Sequence, residues 1–256
     1  MSNPFIRKLE RFGLLSEADK EILLSVTTKV RRVGAQQDLI SEGDPTDGVH
    51  LIQKGFACRY KVLPEGARSI MAYLVPGDLC DLHVAVLGRM DHSIATLSAC
   101  EVITLSREVI EEITVNYPAI NRALWWSVLV DEAILREWLV SMGRRSAEQR
   151  IAHLLCELLV RLQAVGLAVD NSYDLPITQA DLADTTGLST VHTNRVLQEL
   201  RRHELIVFKN RSVNILDIER LKARAQFAPN YLHLEPKRPN GRSQSRDGYG
   251  GMIPPI

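Results

Sequence analysis

Residues 177–200, ITQADLADTTGLSTVHTNRVLQEL, have the most informative pattern in the sequence. Thr178 is followed three residues later by Asp181, and this spacing predicts a capping box at the start of a short helix. Gly187 supplies a tight turn, and Ser189 predicts the N-cap of a second helix. Two short helices joined through a glycine turn are typical of a helix-turn-helix.

The second helix of this motif has an inward and an outward face. Helical spacing gives an inward stripe of Thr193, Val196, Leu197 and Leu200. The second helix of a helix-turn-helix lies in the major groove of DNA and contacts bases with its N-terminal residues. We therefore expect DNA contacts from both helix caps and the outward face, namely Thr178, Ser189, Thr190, Val191, His192, Asn194 and Arg195.

Two short apolar stretches follow the motif, at residues 205–208 and 212–216. They are joined by Lys209-Asn210-Arg211, so the pattern predicts a β-hairpin with a basic tip. Such a hairpin after a helix-turn-helix is the wing of a winged helix. We expect Lys209 and Arg211 to face phosphates and to position the domain on DNA.

The region from residue 31 to 107 differs in composition from its flanks, because glycines recur there about every ten residues. Short apolar stretches lie between them, at residues 49–52, 56–60, 70–74 and 102–105. This spacing predicts an all-β sandwich or barrel. Residues 63–66, Leu-Pro-Glu-Gly, predict a hairpin tip between two of its strands.

A long helix is predicted from Pro118 to about Met142. Two interleaved heptad series run along it, made of Leu124, Asp131 and Trp138, and of Val128, Leu135 and Met142. This pattern favours the seam of a two-stranded dimer, in which one polar residue, Asp131, specifies register. The alternative is a helix that lies on the core of its own domain.

These elements divide the chain into four parts. Residues 1–115 form a β-roll of the jelly-roll kind, 116–143 a dimerisation helix, 144–225 a winged helix-turn-helix, and 226–256 a disordered tail poor in apolar residues. Gly143-Arg144-Arg145-Ser146 predicts a hinge, and residues 166–176 a loop. The predicted fold class is α+β.

The formal net charge is zero, from 31 basic and 31 acidic residues. The zero conceals an asymmetry, since residues 1–143 carry a net −4 and residues 144–256 a net +4. No apolar run reaches the roughly 20 residues of a membrane span, and the N-terminus lacks the apolar core of a secretory signal. We expect a cytoplasmic protein with no membrane partner.

Neither the spacing of the cysteines nor the motifs of the sequence indicate a metal site or an enzyme. The four cysteines, Cys58, Cys80, Cys100 and Cys156, form no Cys-x-x-Cys pair and have no histidine at zinc-ligand spacing. We expect free, mostly buried thiols, with redox sensing as the alternative. Hydrolase, zincin, Walker and dinucleotide-binding motifs do not occur in the sequence, so we do not expect an enzyme.

Residues 10–225 together resemble the cyclic-AMP receptor and fumarate–nitrate reductase regulator (Crp/Fnr) family of bacterial transcription factors. The resemblance rests on Glu42-Gly43-Asp44 with Gly48 and Gly55, on the long helix, on Arg150-Ile151-Ala152 and on the helix-turn-helix. It implies a cyclic-nucleotide-binding-like β-roll with an effector site, a homodimer on palindromic double-stranded DNA, and RNA polymerase as a partner. A nucleotide-binding regulatory module of a larger signalling complex is the alternative function.

The effector site departs from the pattern of the cyclic-AMP binders, which hold the ribose with Glu and the phosphate with Arg-Ser. Here Asp81 stands near the Glu position, and His92 precedes Ser93 at the Arg position. A neutral imidazole lacks the bidentate geometry of a guanidinium, so we do not expect cyclic nucleotides to bind. The expected effector pocket, for an unidentified ligand, comprises Asp81, Leu82, His92 and Ser93.

Cofactors of other relatives are also not expected. The chain has no cysteine before Cys58, so the N-terminal cluster that holds an iron–sulfur centre in oxygen-sensing relatives is missing. Haem through His50, His83 or His92 is an alternative, but lone histidines usually have structural roles. We therefore predict no cofactor.

The recognition helix matches the family at one position and departs at another. Arg195 keeps the family's arginine, which can bond guanine O6 and N7. Val191 stands where relatives commonly have Glu, and it could contact a thymine methyl group instead.

Overall fold

The computed structural model describes residues 3–12, 15–46, 48–80, 82 and 88–234. They form a β-roll, a long helix and a winged helix-turn-helix in that order, which confirms the predicted α+β architecture. Within these ranges no helix is both long and apolar enough to cross a membrane.

The β-roll consists of two antiparallel four-stranded sheets, ordered β1-β8-β3-β6 and β2-β7-β4-β5. Alternating burial along the strands turns residues such as Ile52, Leu74 and Val102 into the space between the sheets. Their neighbours Leu51, Tyr73 and Ile103 point the other way and pack in the core shared with the helices. The strands are β1 (Val30–Val33), β2 (Asp38–Ile40), β3 (Gly48–Lys54), β4 (Ala57–Val62), β5 (Arg68–Leu74), β6 (Leu79–Cys80), β7 (Ser93–Thr96) and β8 (Cys100–Ser106). Two helices precede them, α1 (Pro4–Glu10) and α2 (Glu17–Val26).

The long helix begins at Pro118, as predicted, and follows a shorter helix that was not predicted from the sequence. The shorter helix α3 spans Arg107–Asn116, and the long helix α4 spans Pro118–Arg144. Helix α4 runs through Gly143, so the break falls at Arg145–Ser146, inside the predicted hinge but at its C-terminal end. Helix α5 (Ala147–Ala164) then opens the winged domain.

The winged domain contains helices α6 (Gln179–Thr186), α7 (Thr190–Arg202) and α8 (Ile218–Ala225) and a sheet ordered β11-β12-β10-β9. The predicted loop at 166–176 is corrected, because β9 (Ala168–Val169) and β10 (Ser172–Asp174) form a hairpin there that joins this sheet. The other two strands are β11 (Ile206–Lys209) and β12 (Ser212–Ile215).

The predicted disordered tail is also corrected at its start. A 3₁₀ helix spans Pro229–Leu232, and Phe227, Tyr231 and Leu232 are buried against the rest of the chain. The prediction of disorder rested on the low average apolar content of residues 226–256. That average does not reveal that these three apolar side chains are clustered within six residues. Residues 235–256 lie outside the described ranges.

The four cysteines are free and buried, as expected. Burial raises the pKa of the Cys58 and Cys156 thiols to about 12, because it disfavours the thiolate. Both thiols are therefore protonated at neutral pH and poorly reactive.

Candidate nucleic-acid interface and effector cavity

The helix-turn-helix is built from the caps that the sequence indicated. The Thr178 side chain accepts from the Asp181 backbone N–H, and the Asp181 carboxylate accepts in return, which starts α6. Gly187 ends α6 in the left-handed region at φ 64°, and Ser189 caps α7 by accepting from the His192 N–H. Each of these contacts is local, so the sequence alone could predict it.

Helix α7 presents its predicted outward face to solvent. Thr193, Val196, Leu197 and Leu200 are buried, as expected. Val191 is 73% exposed, and Arg195 lies on the same open face. Of the other predicted DNA contacts, Thr178, Ser189, Thr190 and His192 are exposed and Asn194 is half-buried. The predicted base-reading surface is therefore accessible.

The wing places two more cations at the surface. Asn210 and Arg211 both have positive φ, 53° and 60°, as in the two-residue turn that matches the twist of a β-hairpin. Lys209 and Arg211 are exposed on either side of this tip. The Arg201 guanidinium donates to the Phe208 carbonyl at 2.9 Å and ties the wing to α7.

A cavity of about 280 Å³ lies between the β-roll and α4. Of the predicted effector residues, Leu82 and His92 line it. Ser93 is not among the lining residues, and its hydroxyl accepts from the Glu42 N–H at 2.9 Å. Asp81 lies outside the described residues. Strand β5 contributes apolar walls through Met71, Ala72 and Leu74, which were not predicted from the sequence.

The charged groups that line this cavity are held in ion pairs. Arg59 lies 3.5 Å from Asp131, and the Arg161 guanidinium binds Asp78 at 2.7 Å. The His92 Nδ1 lies 2.6 Å from the Asp91 carboxylate. The cavity therefore holds two guanidinium groups, those of Arg59 and Arg161, and each is already paired with a carboxylate.

Two of the three histidines named for the haem alternative, His50 and His92, are described, and each places its Nδ1 against a neighbouring side chain. The His50 Nδ1 is engaged with the Thr104 hydroxyl at 3.1 Å, and His92 contacts Asp91. His83 lies outside the described residues. Across the described ranges, no three His, Cys, Asp or Glu side chains are grouped as metal ligands.

The predicted dimer seam is corrected, because most of it faces the chain's own core. Leu124 is 2% exposed and Trp138 9%, and Asp131 lies in ion-pair range of Lys8 and Arg59 of the same chain. Val128 is half-buried on the wall of the cavity. Only Leu135 and Met142 of the six predicted residues are exposed.

A second apolar stripe runs along α4 on its open side. Its members are Trp125, Leu129, Leu135, Leu139, Val140 and Met142, each 45% exposed or more. This outer stripe shares Leu135 and Met142 with the predicted seam. Elsewhere it is displaced by one residue, since Trp125 follows Leu124 and Leu139 follows Trp138. Helix α4 is apolar over more than one face, so sequence periodicity could not separate the inner stripe from the outer one.

The β-roll binds the helix-turn-helix directly, a contact that no local pattern signals. The Arg68 guanidinium on β5 lies 2.5 Å from Asp181 and 2.7 Å from Asp184 on α6. Burial alone would lower the pKa of Arg68, but its hydrogen bonds to Asp184 and Asp181 raise it. The two domains are thus joined by partly buried charge pairs.

A second ionic contact joins α1 and α5 across the β-roll. Asp78 is buried and receives Lys8 at 2.8 Å and Arg161 at 2.7 Å. Burial tends to raise the pKa of Asp78, but the charges of Lys8 and Arg161 outweigh it and hold that pKa below its usual value. Because Arg161 also lines the cavity, a side chain of the winged domain forms part of the cavity wall.

Comparisons with known proteins agree with this geometry. A cyclic nucleotide-binding domain family model matches residues 30–117, and a Crp-like helix-turn-helix domain model matches residues 149–224. The chain is 30% identical to the transcriptional activatory protein AadR of Rhodopseudomonas palustris, over 86% of this chain and 90% of that protein. It is 28% identical to the nitrogen fixation regulation protein FixK of Bradyrhizobium diazoefficiens, over 74% of this chain and 78% of that protein.

Among solved structures, FixK2 from Bradyrhizobium japonicum has the same fold. Its TM-score is 0.69 at 23% identity, covering 76% of this chain and 96% of that one. The β-roll, the long helix, the open recognition helix and the similarity to AadR together place the chain in the Crp/Fnr family of transcription regulators, with a helix-turn-helix DNA-binding domain.

Proposed function

We propose that the protein is a homodimeric regulator that binds a palindromic operator and is controlled by a small molecule other than cyclic AMP. The observation that carries the proposal is the open face of α7, with Arg195 exposed one turn from its N-terminus. The exposed wing cations Lys209 and Arg211 support it, since they are free to contact phosphates.

Base reading centres on Arg195. Its guanidinium can bond guanine O6 and N7 together, and the exposed Val191 can contact a thymine methyl group. Thr190, His192 and Asn194 flank them and contact bases or adjacent phosphates. Phosphate contacts come from the exposed helix caps and the wing, namely Thr178, Ser189, Lys209 and Arg211.

Dimerisation uses the outer stripe of α4 defined above. Leu139 is 74% exposed and Trp125 60%, an apolar surface that a second copy can cover. A two-fold pair of recognition helices would contact half-sites about one helical turn, or roughly 34 Å, apart. RNA polymerase is the further partner that membership of this family implies.

The cavity between the β-roll and α4 is the proposed effector site. Its walls are largely apolar and its charges are already paired, which favours a compact, mainly apolar ligand over a phosphate. Since Asp91 holds His92 at 2.6 Å, the imidazole is not a substitute for the phosphate-binding arginine.

Binding to short fluorescent duplexes tests the proposal. Duplexes from a selected operator, a half-site and a scrambled sequence are titrated over a range of salt concentrations, with and without cyclic AMP. We expect preference for the palindrome, steep weakening with salt because phosphates release counterions, and no response to cyclic AMP. Equal affinity for the palindrome and the scrambled duplex would contradict sequence-specific binding.

A further inference from the structure

The segment that follows the winged helix has a defined place in the structure. Residues 227–234, here called the C-terminal strap, come after α8 and beyond the end of the matched helix-turn-helix domain at residue 224. The strap contains the 3₁₀ helix Pro229–Leu232, and it buries Phe227, Tyr231 and Leu232.

The strap packs on α5 through aromatic contacts and a hydrogen bond. The His153 ring stacks on Tyr231 at 5.9 Å between centroids and meets the Phe227 ring edge-on at 5.1 Å. The Tyr231 hydroxyl donates to the Glu157 carboxylate at 2.9 Å. Glu157 is fully buried, so this hydrogen bond is shielded from water.

The same carboxylate binds the long helix. The Trp138 indole N–H on α4 donates to Glu157 at 3.0 Å. Leu232 and Leu234 also line a small cavity together with three residues of α4, namely Trp126, Val130 and Ile134. The strap therefore contacts both helices that meet at the Arg145–Ser146 break.

We propose that the C-terminal strap fixes the orientation of the winged domain relative to α4, and so positions two recognition helices for the two half-sites of one operator. The inference rests on the proposed function, because α4 supplies the dimer axis there. Only two residues, Arg145 and Ser146, separate α4 from α5. Without the strap, the contacts of Tyr231 with Glu157 and His153 and the packing of Leu232 beside α4 are lost. The angle between α4 and α5 is then less restrained.

A dimer gains most from a fixed orientation when both half-sites are engaged. The second recognition helix then binds at a high effective concentration, which falls when the geometry is loose. Binding of a single half-site does not need that geometry. Loss of the strap should therefore weaken palindrome binding selectively.

The test uses the full-length chain with Tyr231→Ala and Leu232→Ala combined, and Tyr231→Phe as a milder variant that keeps the ring and removes only the hydroxyl. Asn230→Ala, an exposed neighbour in the same 3₁₀ helix, is the matched control. Affinity for palindromic and half-site duplexes is measured at one low salt concentration. Trypsin cleavage after Arg144 and Arg145 provides a second readout that involves no DNA.

We expect the double variant to bind the palindrome about tenfold more weakly and the half-site as the unaltered chain does. Its cleavage at the break should be about tenfold faster, because local opening is easier. Tyr231→Phe should shift both readouts in the same direction by less, and Asn230→Ala should shift neither.

Two results would overturn the inference. Unchanged palindrome affinity with an unchanged trypsin rate would show that the strap does not set the orientation. Equal losses on palindrome and half-site would show that it supports the fold of the winged domain itself. If the unaltered chain shows no preference for the palindrome, the proposed function fails, and the trypsin rate alone decides the role of the strap.

Discussion

The hydroxyl of Tyr73 lies 2.6 Å from the hydroxyl of Thr185, which joins the β-roll to the first helix of the helix-turn-helix. Both residues are buried, and Thr185 also donates to the Asp181 carbonyl at 2.7 Å. Tyr73 belongs to β5, the strand that also carries Arg68 and lines the effector cavity. One strand thus contacts both the cavity and the DNA-binding domain.

Tyr73→Phe should loosen this contact without removing the ring. A net contribution of about 1 kcal/mol is typical of one hydrogen bond, and we expect a loss of that size in the free energy of unfolding. Amide exchange in α6 should accelerate, since its anchor to β5 is weakened. Urea denaturation and hydrogen exchange measure these effects. Tyr60→Phe, which removes a hydrogen bond to Asp38 inside the β-roll, should leave exchange in α6 unchanged.

Arg195→Ala should reduce specific DNA binding by about 1–3 kcal/mol and relax preference at one base pair of each half-site. The reason is the loss of a bidentate contact to guanine. Titration of single-base operator variants measures the change. Arg31→Ala, which removes an exposed charge on the edge strand β1, is the control and should leave the base preference intact. Unaltered affinity and preference in Arg195→Ala would defeat the assignment.

Gly187→Ala should destabilise the winged domain mainly through its backbone. A non-glycine residue at φ 64° is strained by about 1–2 kcal/mol. The added Cβ would lie 2.7 Å from the Met142 methyl carbon, but this is the end of a flexible side chain that can move aside, so adding Met142→Ala should restore little of the loss. Gly66→Ala, at φ 85° with open space around it, should show a backbone loss of similar size. Thermal unfolding of the three variants measures these losses, and a large rescue by Met142→Ala would contradict the backbone explanation.

Leu139→Glu should weaken the proposed dimer. Leu139 lies in the C-terminal part of the outer stripe of α4 and is 74% exposed in the single chain. Burying such a side chain is worth roughly 1.5–3 kcal/mol, so its replacement by a charge should raise the dimer dissociation constant at least tenfold. Sedimentation equilibrium measures this constant. Val115→Glu, equally exposed on α3 but off the stripe, should leave it unchanged.

His153 should make stability depend on pH between about 6.5 and 4. Burial and the charge of Arg145 outweigh the attraction of Glu137 and lower the pKa of His153 from 6.5 to about 4. The unfolded chain therefore binds this proton first, and the free energy of unfolding falls as pH decreases through that window. Within this window the free energy of unfolding changes by up to about 1.4 kcal/mol per pH unit, the value for one proton. Urea denaturation of His153→Phe should lack this slope, whereas His192→Phe, exposed on α7, should retain it.

Local contacts explain what could be predicted from the sequence. The caps Thr178 and Ser189, the Gly187 turn and the basic wing depend on residues within a few positions of one another. Their formation needs little from the rest of the chain. The open face of α7 follows in the same way, because a helix with one apolar stripe has only one side to bury.

The order of the elements, the helix-turn-helix and the exposed face of α7 therefore follow from the sequence. Which face of α4 is free depends on tertiary packing, because that helix is apolar on two sides and the β-roll covers the side with Leu124 and Trp138. The packing of residues 227–234 on α4 and α5, and the contact of Arg68 with Asp181 across 113 residues of chain, depend on it as well. Such contacts join segments distant in sequence, and their partners are chosen by packing, which no local pattern encodes.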